Sequence, residues 1–107
     1  MPYQHRVTHQ YSGTSTDSGQ INFTTTTPSV LTATMSGHGF SNGSDTIPFS
    51  HIILNGTTCA WDRGYASIGD NSYTSSTCVS FIGAGVHTIQ LFSSMAIDQS
   101  WRVQVIR

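Results

Sequence analysis

Short apolar runs alternate with polar residues along the whole chain, and Gly, Asn, Asp or Pro interrupts them at short intervals. Alternation with a period of two is the mark of a half-buried strand, and no stretch carries a helical period of useful length. The runs Val7–Ser12, Gln20–Thr26, Val30–Ser36, Ser50–Leu54, Thr57–Arg63, Tyr73–Ile82, Val86–Ser93 and Ser100–Ile106 are predicted strands. Eight short strands with frequent turn breaks imply an all-β protein, an antiparallel β-sandwich or barrel. In the last run Trp101, Val103 and Val105 share one face, and Arg102, Gln104 and Ile106 the other. Met95–Asp98 has room for one helical turn, and Gly37–Pro48 reads as a long polar loop with Asn42-Gly43 as a hairpin tip. The organisation expected is an N-terminal arm over Met1–Tyr11 and one sandwich domain over residues 12–107.

Two places constrain register. Asn55-Gly56 supplies the positive φ angles of a two-residue type I′ hairpin, which pairs Leu54 with Thr57, Ile53 with Thr58 and Ile52 with Cys59. If the strands flanking the loop Tyr65–Ser72 pair symmetrically, Cys59 falls opposite Cys78, close enough for a cross-strand disulfide. The alternative is two free thiols packed as small apolar groups. The same register puts Trp61 beside Ser76 on the cysteine face. It makes Ala60, Thr77, Val79 and Phe81 the expected core face.

Composition sharpens the picture. The 107 residues include no lysine and no glutamate, and serine and threonine take their place on the surface. Loss of strong helix formers and enrichment in residues that compete with helical hydrogen bonds both favour strands. The four arginines do not cluster, so the basic stripe of a nucleic-acid groove is missing. No apolar run reaches transmembrane length.

The stretch Val79-Ser80-Phe81-Ile82-Gly83-Ala84-Gly85-Val86-His87-Thr88-Ile89-Gln90-Leu91 resembles the strand–turn–strand of jelly-roll domains of the tumour necrosis factor and complement globular-head type. Ile53-Leu54-Asn55-Gly56-Thr57 is similar to a hairpin of the same domains. The resemblance implies a sandwich of jelly-roll type. Such domains occur on bacteriophage heads and tail-fibre tips, usually as trimers. The resemblance therefore implies a non-enzymatic virion protein, a capsid decoration protein or tail-fibre tip, at the virion surface or outside the cell. Its partners would be two further copies of the chain and other virion proteins, with Met1–Tyr11 as the docking segment. Phe23, Phe40, Phe49 and Phe92 are the candidate subunit-interface residues.

Candidate chemistry is sparse. His5 and His9 are four apart, about 13 Å along a strand and too far for one ion. His87 shares a face with Ile89 and Leu91 and reads as a partly buried, hydrogen-bonded histidine. No motif pairs two of the five aspartates for acid–base work, so no catalytic residue, metal or cofactor is expected. The best binding candidate is the loop Arg63–Tyr73, holding Tyr65, Asp70, Asn71 and Tyr73, with Trp61 just before it. Flat aromatic faces stack on sugar rings while Asp and Asn hydrogen-bond hydroxyls, which makes a small lectin for a cell-surface glycan the alternative function.

Overall fold

A computed structural model describes residues 5–14, 19–40, 49–63, 71–94 and 98–107. Eight strands run in chain order: β1 (Val7–Thr14), β2 (Gly19–Thr25), β3 (Ser29–Phe40), β4 (Phe49–Leu54), β5 (Thr57–Arg63), β6 (Asn71–Ile82), β7 (Gly85–Ser94) and β8 (Asp98–Ile106). They form two four-stranded antiparallel sheets, ordered β1-β8-β3-β6 and β2-β7-β4-β5. Successive strands cross between sheets, apart from the β4–β5 hairpin, and this double Greek-key winding is a jelly roll.

All eight predicted strands are present, but β3 runs four residues further than the alternation suggested, to Phe40. Gly37 and Gly39 looked like breaks. Gly37 is instead an interior position of the strand, where an added Cβ would lie 2.8 Å from Ser93 Oγ and 3.0 Å from Thr74 Oγ1. A glycine inside a strand marks such a close approach. Residues 7–11, expected in the N-terminal arm, belong to edge strand β1 and pair with β8 from Ile106 to Val103. Met1–Gln4, the Asn42-Gly43 tip and residues 95–97 lie outside the described residues.

The hairpin is as expected at its tip: Asn55 and Gly56 have φ of 50° and 81°, and Leu54 and Ile53 pair with Thr57 and Thr58. The third expected pair is corrected. A shift between Ile52 and Ile53 places Ile52 opposite Ala60, leaving Cys59 as the extra residue. A bulge of this kind re-aims a side chain. Here Cys59 reaches across to Cys78, with Cα atoms 5.6 Å apart.

The disulfide forms, yet β5 and β6 are not sheet partners. β5 is the edge of one sheet and β6 the edge of the other, so the bond staples the two sheets together along an open seam. Asp62 Oδ2 reinforces that seam by accepting the Ser75 backbone N–H at 2.8 Å. The expected core face of β6 is also inverted. Ser72, Thr74, Ser76, Cys78 and Ile82 point inward, while Val79 and Phe81 are 67 % and 88 % exposed. Once β6 lies against β3 with Ala33 opposite Cys78, its even-numbered positions must face the other sheet.

The core is built from Leu31, Ala33, Met35, Ile52, Leu54, Ile82, Ile89, Leu91, Val103 and Val105, with Phe23 and Cys78. The opposite seam, between β1 and β2, is filled by rings. The Trp101 indole fits where Gly13 and Gly19 leave space, since an added Cβ would fall 2.5 Å and 2.9 Å from its ring. Phe23 packs against His9, Tyr11 and His87 with centroids 5.4–6.4 Å apart. Phe23 is thus a core residue, which corrects its expected place on a subunit interface. His87 is buried and satisfied, as expected. Its Nε2–H donates to Gly83 O at 2.8 Å, and Asn55 Nδ2 donates to its Nδ1 at 3.0 Å.

Candidate functional site

β4 is central in its sheet, between β7 and β5, so residues far apart in the chain share one outer face. His51 lies opposite Trp61 on one side and Phe92 on the other; Phe49 lies opposite Arg63. Strand alternation sends all five outward, away from Ile52 and Leu91. Phe49, His51 and Phe92 pack edge-on or tilted, with Phe49–Phe92 at 5.8 Å and His51–Phe92 at 5.0 Å between centroids. Trp61 stands beside this floor on edge strand β5, 62 % exposed. Phe49, His51, Thr58, Trp61 and Arg63 line a shallow cleft of about 450 Å³. His51 Nε2 and Thr58 Oγ1 are 2.8 Å apart and share a hydrogen bond.

A second cluster sits on the outer face of the other sheet. Tyr73 on β6, 69 % exposed, stacks on His38 of β3 at 4.8 Å and 15° between planes. His38 Nε2 donates to Asn71 Oδ1 at 2.9 Å, and Asp98 Oδ2 is 3.5 Å from His38 Nδ1. The Asn71 hydrogen bond raises the His38 pKa above its ordinary 6.5; desolvation opposes it, and the neighbouring Asp98 adds a further upward pull. Among the described residues no three His, Cys, Asp or Glu side chains converge as metal ligands.

The structure therefore divides the residues expected to form one binding loop. Trp61 faces out from one sheet, and Asn71 and Tyr73 from the other. Tyr65 and Asp70 lie outside the described residues. Phe49 and Phe92, expected at a subunit interface, are part of the floor beside Trp61, and Phe40 belongs to β3. The sequence reading reaches Arg63 only as the first residue of the candidate loop, and it misses His51 and Thr58. The place of Arg63 beside Trp61 was within reach, since it follows Trp61 by two and must share its face. The hairpin already sets β4 beside β5, but its unbroken register would face Ser50 to Trp61, and only the bulge at Cys59 brings His51 there.

No family model and no curated protein matches the chain. Among solved structures it is similar to the EclA C-terminal domain, described as a sugar-binding protein, at 11 % identity and a TM-score of 0.49, over 100 % of this chain and 79 % of that one. It is similar to CBM35 from Cellvibrio japonicus Abf62 at 14 % identity and a TM-score of 0.47, over 87 % and 70 %. A β-glucosidase from Paenibacillus barengoltzii matches at 10 % identity and a TM-score of 0.48, over 88 % of this chain but only 10 % of the enzyme. At such identities and scores the function must be read from this chain's own residues.

Proposed function

We propose that the protein is a non-catalytic carbohydrate-binding domain, with the Trp61 cleft as its sugar site. The observation that carries this reading is an exposed indole standing beside a floor of Phe49, His51 and Phe92, ringed by hydrogen-bonding groups. A pyranose offers a C–H face that packs on an aromatic plane and a rim of hydroxyls that need partners. Thr58 Oγ1, the His51 ring nitrogens and the Arg63 guanidinium supply them. The cleft volume lies within the roughly 300–1,000 Å³ range of small-molecule sites. Its described lining contains no carboxylate, the residue type on which acid–base glycoside hydrolysis runs. An inter-sheet disulfide suits an oxidising, extracellular setting.

The test is a titration of tryptophan emission with a panel of oligosaccharides. Trp61 is the exposed reporter and Trp101 the partly buried one. A saturable change that Trp61→Ala abolishes, with the thermal transition retained, supports the site. Absence of any response across the panel overturns it.

A second reading keeps the chain as a structural subunit, a homotrimer on a bacteriophage particle. What favours it is an apolar row across the outer face of the β1-β8-β3-β6 sheet. Phe81 lies opposite Val30, Val30 opposite Ile106, and Ile106 opposite Val7, with Val79 exposed beside the row. Exposed contiguous apolar surface marks interaction sites. A solution mass of three chains that Phe81→Ser reduces to one supports this reading, and a monomeric wild type overturns it.

A further inference from the structure

Among the described residues, no carboxylate neutralises the positive charge that Arg63 brings to the Trp61 cleft. Arg63 lies opposite Phe49 and lines the cleft two residues beyond Trp61. The acid next to it in sequence, Asp62, cannot serve it. Strand alternation turns Asp62 to the other face of β5, where its Oδ2 takes the Ser75 N–H. Thr58, which shares a hydrogen bond with His51, is uncharged and cannot neutralise a cation. The aromatic wall thus stands beside a guanidinium whose planar fork of donors matches a carboxylate with two parallel hydrogen bonds.

We propose that the cleft selects an acidic pyranose, a uronate, with its ring on Trp61 and its carboxylate on Arg63. The inference rests on the carbohydrate-binding reading and adds the charge of the ligand to it. A desolvated ring on the indole raises the strength of the adjacent charge pair, because water is excluded from one side of it. Neutral sugars keep the stacking and lose the pairing.

The test uses matched trisaccharides that differ only at C6: galactose against galacturonate, and glucose against glucuronate. Binding is measured by calorimetry at low and at 0.5 M salt, with wild type, Arg63→Gln and Arg63→Lys. The expected result is that the uronate of at least one pair binds about tenfold or more tighter than its neutral partner, as a charge-assisted pair warrants. That preference shrinks with salt, falls to near one in Arg63→Gln, and is only partly restored in Arg63→Lys. Equal binding of neutral and acidic partners overturns the inference and leaves the carbohydrate reading standing. A preference that survives Arg63→Gln overturns the assignment of the carboxylate to Arg63. Tighter binding of galactose 6-sulfate than of galacturonate overturns the choice of carboxylate. Failure of every sugar, neutral or acidic, overturns the carbohydrate reading itself.

Discussion

Cut across its strands near Met35, the sandwich has two interiors that differ in kind. Towards the short turns at residues 26–28, 55–56 and 83–84, the inward positions are Leu31, Ile52, Leu54, Ile82, Ile89, Leu91, Val103 and Val105. Towards the end from which residues 15–18, 41–48, 64–70 and 95–97 connect the strands, the same strands turn inward Gly37, Ser50, Ser72, Thr74, Ser76 and Gln99. One buried hydroxyl pair is satisfied, Ser50 with Ser76 at 2.7 Å. Ser72 Oγ, Thr74 Oγ1 and Ser93 Oγ are buried and make no hydrogen bond among the described residues. The first half is cohesive because burying each branched aliphatic side chain is worth roughly 1.5–3 kcal/mol. The second half gains little from its contents, since a buried hydroxyl without a partner costs about 1–3 kcal/mol. Both outer-face clusters, around Trp61 and around Tyr73, reach towards this second half.

The comparison breaks first at its strongest point. Ile52→Ala and Leu91→Ala should each lose about 2–5 kcal/mol in urea unfolding, and a loss under 1 kcal/mol would mean the aliphatic half does not carry the fold. Removing the staple between the sheets comes next. Cys59→Ser with Cys78→Ser, or reduction, should cost about 3 kcal/mol in the chain-entropy model for a separation of 19 residues. Gly37→Ala should cost about 1–3 kcal/mol by overpacking against Ser93 and Thr74. Adding Ser93→Ala should recover part of that, and a neutral Gly37→Ala would show that the polar half is slack. Thr74→Val removes an unpartnered buried hydroxyl at constant shape and should stabilise by up to about 1 kcal/mol, read from the urea midpoint.

The smallest effect belongs to His38. Its folded pKa is raised, so its contribution to stability is complete below its ordinary value of 6.5 and fades as pH rises through the folded value. The imidazole is half-buried at the surface and its partners are solvated, so the slope is slight. NMR should find the His38 midpoint above 6.5, and Asn71→Ala should bring it down. An unchanged midpoint in Asn71→Ala would remove that hydrogen bond as the cause.

Much of the fold could be read from the chain. Turn residues bounded all eight strands, Asn55-Gly56 set the hairpin, and two cysteines alone in the sequence found each other. The inversion of β6 shows where such reading stops. Val79 and Phe81 of that strand face solvent, while Ser72, Thr74 and Ser76 are buried. Alternation reports which residues share a face but not which face is covered. Nor does a loop between two strands say whether they pair within a sheet or pass between sheets, and Cys59–Cys78 satisfies both geometries. The candidate site was half legible for the same reason. Trp61 stood out as an aromatic beside a polar loop. Its neighbour His51 comes into register only through the bulge at Cys59, and Phe92 lies on β7, which only the sheet order brings alongside β4.

The backbone of Arg6 and that of Arg107 hydrogen-bond to each other, N–H to carbonyl in both directions at 3.0 Å. They lie at the end with the short turns, since β1 begins and β8 finishes there. A fluorophore, bead or carrier protein joined at either of these positions would be held at the far pole from the strand ends that carry Arg63 and Tyr73. The domain can therefore be immobilised or displayed through that pole with both of its outward aromatic clusters left open to the medium.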